Sequence, residues 1–297
     1  MSCLRPEAEV APAWFVEALA DPGVTRAVQV CGVRVEYRVW GPEGAPVVVL
    51  IHGGAAHGGW WDHLGPHLAK GRRVAALDLS GHGSSGSRVD YDFLTWADEV
   101  VEVASAEGSD QPVVIGHSMG GVVALTAAFR HAARLAGAVI VDLPDWVLEG
   151  RVPPRLEQLP TRRHHASRES AVRRFRARPA DPMRQEYIER HVAGRSVHLT
   201  ADGWTWRFDH AVTTHDSFPA DLWGTARCPV AIVLAERSLL ASEAVDQMTD
   251  RLGGVEVVTI ADAGHHIMLD QPLALLAGLE DILGGWSWRR ASGAGSG

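Results

Sequence analysis

A serine stands between two glycines at the end of an apolar run, in Val113-Val114-Ile115-Gly116-His117-Ser118-Met119-Gly120. Three fixed positions in five arise often by chance, so the flanks carry the weight. Residues 113–115 form the short unbroken apolar run of a strand covered on both faces, and residues 121–131 form a helix-length segment. A serine on such a strand-to-helix turn is forced into a strained backbone, and Gly116 and Gly120 permit the close packing the turn needs. The turn lifts the hydroxyl above the sheet, with a helix N-terminus beneath any negative charge that develops there. The plainer alternative is a glycine-rich β–α turn without chemistry.

Other segments repeat the strand-then-helix rhythm. Residues 27–40 read as a hairpin turning near Cys31-Gly32, and residues 47–51, 74–77, 138–141, 230–234 and 255–260 as further strands. Helices are expected at 60–70, 94–107, 242–252 and 272–283. Alternation of this kind predicts an α/β fold with a mostly parallel sheet and helices on both faces. The rhythm stops from about residue 143 to residue 223, where no strand-like run recurs. Residues 151–195 hold twelve arginines against five carboxylates, a surplus near +7. The expected organisation is a core of residues 1–142 and 224–285, an inserted helical cap at 143–223, and a frayed tail at 286–297.

Further motifs fall in an order that resembles the α/β-hydrolase family. His52-Gly53-Gly54 follows the run at 47–51, like that family's His-Gly turn. Asp78-Leu79-Ser80-Gly81-His82-Gly83 resembles its Asp-x-x-Gly-x-Gly turn, which we read as structural. Asp262-Ala263-Gly264-His265-His266 follows the last strand, where the family keeps its base, and Gln271-Pro272 opens the final helix. The resemblance implies an eight-stranded α/β-hydrolase fold with Ser118 as nucleophile and His265 as base. It implies an oxyanion hole made by the N–H groups of Gly54 (with Ala55 adjacent) and Met119. Imidazole titrates in the range a serine needs from its base.

The family's acid does not fall in its usual place. The turn after the seventh strand reads Ala235-Glu236-Arg237-Ser238, with serine where the family puts aspartate. Asp142, closing the run Val139-Ile140-Val141, is one replacement, because some branches of the family carry their acid at that strand end. Glu236 is the alternative acid, and Asp145 stands three residues into the cap. Asp142 has its own bland reading as a residue that opens the cap.

Eleven tryptophans against three tyrosines are unusual. Trp60 and Trp146 are the candidates for an apolar substrate pocket, with Trp204, Trp206 and Trp223 also in or near the cap, and Trp60 and Trp61 equally suited to packing a helix on the sheet. Arginines in the cap suit a substrate bearing a carboxylate or phosphate. They equally suit a solvated face in a chain whose sole lysine is Lys70. His63 and His67 have helical metal-ligand spacing but no third ligand, so no metal or other cofactor is expected.

A net charge of −8 argues against a nucleic-acid partner. No apolar run reaches membrane-spanning length, and the N-terminus lacks the apolar stretch of a signal peptide. Cys3, Cys31 and Cys228 form no framework, which fits a cytoplasmic protein. The expected partner is a small acyl substrate. The leading function is a serine hydrolase cleaving an ester or related acyl bond. Cofactor-free dioxygenase, lyase or C–C hydrolase chemistry is the alternative, and a non-catalytic binding protein is the third.

Overall fold

The computed structural model describes residues 9–143, 163–180, 185–214, 224 and 226–286. Helix α1 (Ala13–Ala20) precedes β1 (Val24–Val30) and β2 (Val33–Trp40), a hairpin that turns at Cys31-Gly32 as the alternation predicts. Then come β3 (Val47–Ile51), a 3-10 turn (Gly58–Trp61), α2 (Gly65–Leu68), β4 (Arg73–Leu77), α3 (Phe93–Ala106), β5 (Val113–His117), α4 (Met119–Arg130) and β6 (Gly137–Val141). The described part of the insertion holds α5 (Arg168–Arg173), α6 (Glu186–Arg195), β7 (Val197–Thr200) and β8 (Gly203–Trp206). Strand β9 (Val230–Arg237), α7 (Ser242–Arg251), β10 (Glu256–Gly264), α8 (Ile267–Asp270) and α9 (Pro272–Gly285) complete the core.

Eight strands form one sheet in the order β1-β2-β4-β3-β5-β6-β9-β10, parallel from β4 onward and antiparallel at the β1–β2–β4 edge. Every residue of β3, β4, β5 and β6 is buried, which is why these segments read as unbroken apolar runs rather than alternating ones. Helices α3, α4 and α7 cover one face; α1, α2, α8 and α9 cover the other. Asp92 caps α3 by accepting the Thr95 N–H at 2.7 Å. No helix among the described residues is long and apolar enough to cross a membrane.

Three expectations change. The helix expected over residues 60–70 is broken into a 3-10 turn and the single turn of α2. Pro66 has no N–H to continue a helix begun a turn earlier, so it sits in the first turn of a new one. The insertion is not helical throughout, because β7 and β8 pair antiparallel from Val197↔Trp206 to Thr200↔Gly203. Four-residue strands around a two-residue turn are too short to leave a period in the sequence. Trp286, assigned to the tail, instead packs its ring against β6 at Gly137; residues 287–297 lie outside the described residues.

Main-chain bonds stitch the insertion to the core. Arg207 O accepts the Gly83 N–H at 2.8 Å, and Gly81 O accepts the Asp209 N–H at 2.7 Å. A third tie is a histidine clasp. His57 Nε2 donates to Ser196 Oγ at 2.9 Å, while its Nδ1 accepts the Gly59 N–H at 3.1 Å and the Ser196 hydroxyl passes on to Val192 O. Burial holds His57 well below the ordinary imidazole range, so the ring is neutral and has one proton to give.

Candidate active site

Ser118 is placed by the junction of β5 and α4. Its backbone is left-handed, with φ 54° and ψ −121°, and its N–H donates to Val141 O at 2.9 Å on the neighbouring strand. A Cβ on Gly116 would strike the Gly120 carbonyl, and one on Gly120 would strike the carbonyls of Ile51 and His52. Only glycine at both positions lets the helix start so close to the sheet.

Asp142 closes β6, one strand over. It is fully buried and also has a positive φ, 45°. The Asp142 N–H donates to Val233 O at 2.8 Å, and Oδ1 accepts the Ala235 N–H at 2.9 Å. With one oxygen fixed by β9, the other is presented to the His265 ring at 2.7 Å from Nδ1. On the opposite side of that ring, Nε2 lies 3.0 Å from Ser118 Oγ. A carboxylate only accepts, so Nδ1 carries the ring proton and Nε2 offers its lone pair to the serine hydroxyl.

His265 follows β10 and is held from two sides. Asp270, in α8, accepts the Gly264 N–H at 2.8 Å. His117 lies beneath the turn, and its Nε2–H donates to His265 O at 2.9 Å. Burial and the two neighbouring imidazoles keep His117 uncharged, well below the ordinary range. Glu236 takes no part in this row. It is exposed, and its carboxylate accepts the Asp262 N–H at 2.8 Å, pinning another left-handed residue in the bulge of β10. Asp145 and Trp146 lie outside the described residues.

Gly54 and Met119 are brought side by side, a Cβ on Gly54 lying 3.6 Å from Met119 Sδ. His52 aims the loop. The Leu79 N–H donates to His52 Nε2 at 3.1 Å, so Nδ1 carries the proton and donates to Gly53 O at 2.7 Å. Across a planar trans peptide the Gly54 N–H then points opposite to that captured carbonyl. Neither the Gly54 nor the Met119 N–H has an acceptor among the described residues. Burial drives His52 down to about 4, so this tautomer persists through ordinary pH.

A cavity of about 240 Å³ opens beside Gly54 and His266. Trp60, Phe175, Trp206 and Phe208 give it apolar walls. Trp60 lines this cavity and also packs in the core, while Trp61 is wholly buried there. Trp206, one of the tryptophans the sequence places in or near the cap, lines this cavity, whereas Phe175 carries no signal in the sequence. Sequence reasoning also overlooked His52 and His117, although both sit inside motifs it had singled out.

Two histidine sets bear on metal binding. His63 and His67 do not converge: His63 Nε2 bonds Met268 O at 2.8 Å, and the His67 ring packs on Trp14. His117, His265 and His266 do converge, with ring nitrogens within 4.8 Å of one another. A cation there would compete with the bonds that His265 makes to Asp142 and Ser118.

Residues 48–279 match the family model described as the alpha/beta hydrolase family. The chain belongs to that family. With membership comes the enzyme class, a hydrolase of the α/β type. Esterase Rv0045c of Mycobacterium tuberculosis is 28% identical over 258 residues, covering 82% of this chain and 84% of that protein. Lipase LipV of the same organism is 26% identical over 254 residues, covering 82% and 96%. Among solved structures, E-2-(acetamidomethylene)succinate hydrolase superposes with a TM-score of 0.77 at 18% identity, over 88% of this chain and 99% of that one.

Proposed function

We propose that this hydrolase cleaves small esters or related acyl bonds by serine nucleophilic catalysis. The observation that carries the reading is the unbroken row from Asp142 Oδ2 to His265 at 2.7 Å and from His265 to Ser118 Oγ at 3.0 Å. Ser118 Oγ attacks the carbonyl carbon while its proton passes to His265 Nε2. Asp142 stabilises the imidazolium, and the N–H groups of Gly54 and Met119 receive the oxyanion. Collapse of the tetrahedral intermediate breaks the acyl–oxygen bond, and His265 returns the proton to the leaving alcohol. Water activated by the same histidine then releases the acid and restores Ser118. The described part of the insertion, residues 163–180 and 185–214, acts as a cap beside this centre. The names of the relatives, an esterase and a lipase, agree with the reaction class.

A fluorophosphonate probe tests the nucleophile. Wild-type protein is expected to be labelled and Ser118→Ala to escape labelling, with ester turnover falling roughly ten-thousandfold or more. An active wild type that resists the probe sinks the reading.

A further inference from the structure

Through most of the chain arginine is an ion-pairing residue. Arg26, Arg73, Arg88 and Arg130 each contact a carboxylate, Arg73 and Arg88 at 2.8 Å. Arg174, Arg176 and Arg178 behave differently. They alternate with Phe175 and Ala177, which turn inward and are buried, so all three guanidinium-bearing residues are exposed. All three line the cavity beside Gly54 and His266, whose described lining contains no aspartate or glutamate. No described carboxylate pairs with them. Arg174 donates to Ser170, and Arg176 to the carbonyls of Arg173 and Phe175, all neutral acceptors. Three adjacent cations at one cavity mouth are notable in a chain of net charge −8.

We infer that this cavity selects esters bearing an anionic group. An apolar segment of the substrate lies on Trp60, Phe175 and Trp206, and a carboxylate or phosphate at its end is held by Arg174, Arg176 and Arg178. Guanidinium groups suit such anions because two parallel N–H donors match two oxygens. At about 240 Å³ the cavity lies below the roughly 300–1,000 Å³ of drug-sized sites, so the apolar segment is short. The turnover of such an ester rests on the proposed hydrolase chemistry; recognition of the anion rests on the cavity alone.

Two substrate pairs test this. In one, p-nitrophenyl hydrogen glutarate is compared with its methyl ester, placing the anion on the acyl side. In the other, 4-butanoyloxybenzoate is compared with its methyl ester, placing the anion on the leaving group. In at least one pair the charged member is expected to have a kcat/KM roughly tenfold above the neutral one at low salt. That ratio should shrink with added salt and fall towards one in Arg174→Gln/Arg176→Gln/Arg178→Gln, while Arg190→Gln on α6 keeps it. The pair that shows the preference identifies which side of the ester meets the arginines. Equal rates within both pairs, or a preference that survives in the triple variant, overturn the inference. Titrating Ser118→Ala with the same esters, read by tryptophan fluorescence, separates it from the hydrolase proposal. Tighter binding of a charged ester, with no turnover by wild type, would reject the chemistry and support the anion site. Equal binding of charged and neutral esters rejects the anion site whatever the turnover.

Discussion

The strand ends of the core and the inserted segment build two neighbouring walls around Gly54 and His266 by different means. The core wall is made of groups that hydrogen bonds hold in defined orientations. Asp142 is fixed by Ala235, His265 by His117 and Asp142, and Gly53 by His52. The insertion wall is made of aromatic faces and of guanidinium groups on an exposed rim. Fixed donors and acceptors serve a reaction whose charges appear at known atoms, whereas apolar faces and long cationic side chains serve recognition. On the proposed reading, chemistry belongs to the first wall and selectivity to the second.

The sharpest way to break this division is at Asp142. Asp142→Asn should lower kcat for a p-nitrophenyl ester by roughly a thousandfold or more with KM little changed, because the imidazolium loses its carboxylate. Glu236→Gln should stay within about twofold. A reversal of those two results would move the acid to β9. A change in the other wall should show the complementary pattern. Trp206→Ala is expected to raise KM roughly five- to tenfold for an apolar acyl chain while kcat holds, as loss of buried apolar contact removes uniform binding. A kcat loss larger than the KM change would assign Trp206 to the chemistry.

The smallest effect concerns stability. Burial lowers His52 and His63 to about 4 and holds His57 and His117 well below the ordinary range. Between pH 6.5 and 4 the unfolded chain therefore binds protons that the folded chain refuses, and folding stability falls as pH falls. Each such histidine contributes a slope of about 1.4 kcal/mol per pH unit within its window. Asp78, pushed up to about 6 by desolvation, acts in the opposite sense, its contribution fading as pH rises through that value. Four histidines outweigh one aspartate, so Tm should drop steadily on acidification from pH 6.5. His63→Gln should flatten that drop by about one proton's worth; an unaltered slope would show that His63 titrates normally.

The two walls were unequally legible in the sequence. Ser118, His265 and the glycine turns announce themselves because the backbone conformation there admits few residue types. Asp142 could be read from a negative signal, Ser238 where a carboxylate belongs, combined with a carboxylate closing Val139-Ile140-Val141. The insertion offered only its arginine and tryptophan content, since β7 and β8 are too short for a period and the clasp between His57 and Ser196 spans 139 residues. The break at Pro66 was written in the sequence but was outvoted by apolar residues on either side. Phe175 and Trp206 meet Trp60 through tertiary packing, which no local pattern encodes.

The bond from Ala235 to Asp142 has a further consequence for protein engineering. Strand β9 meets the row only through main-chain groups, the Ala235 N–H and the Val233 carbonyl, so no side chain of that strand bonds to Asp142. Past that point, the turn at Ser238 and Leu239 is held by local bonds alone, from Ser238 N–H to Ala235 O and from Leu240 N–H to Ser238 Oγ. Among the described residues, no side chain of that turn bonds to Asp142, His265 or Ser118. A peptide tag or a sensor domain grafted there would leave the partners of Asp142 and His265 in place.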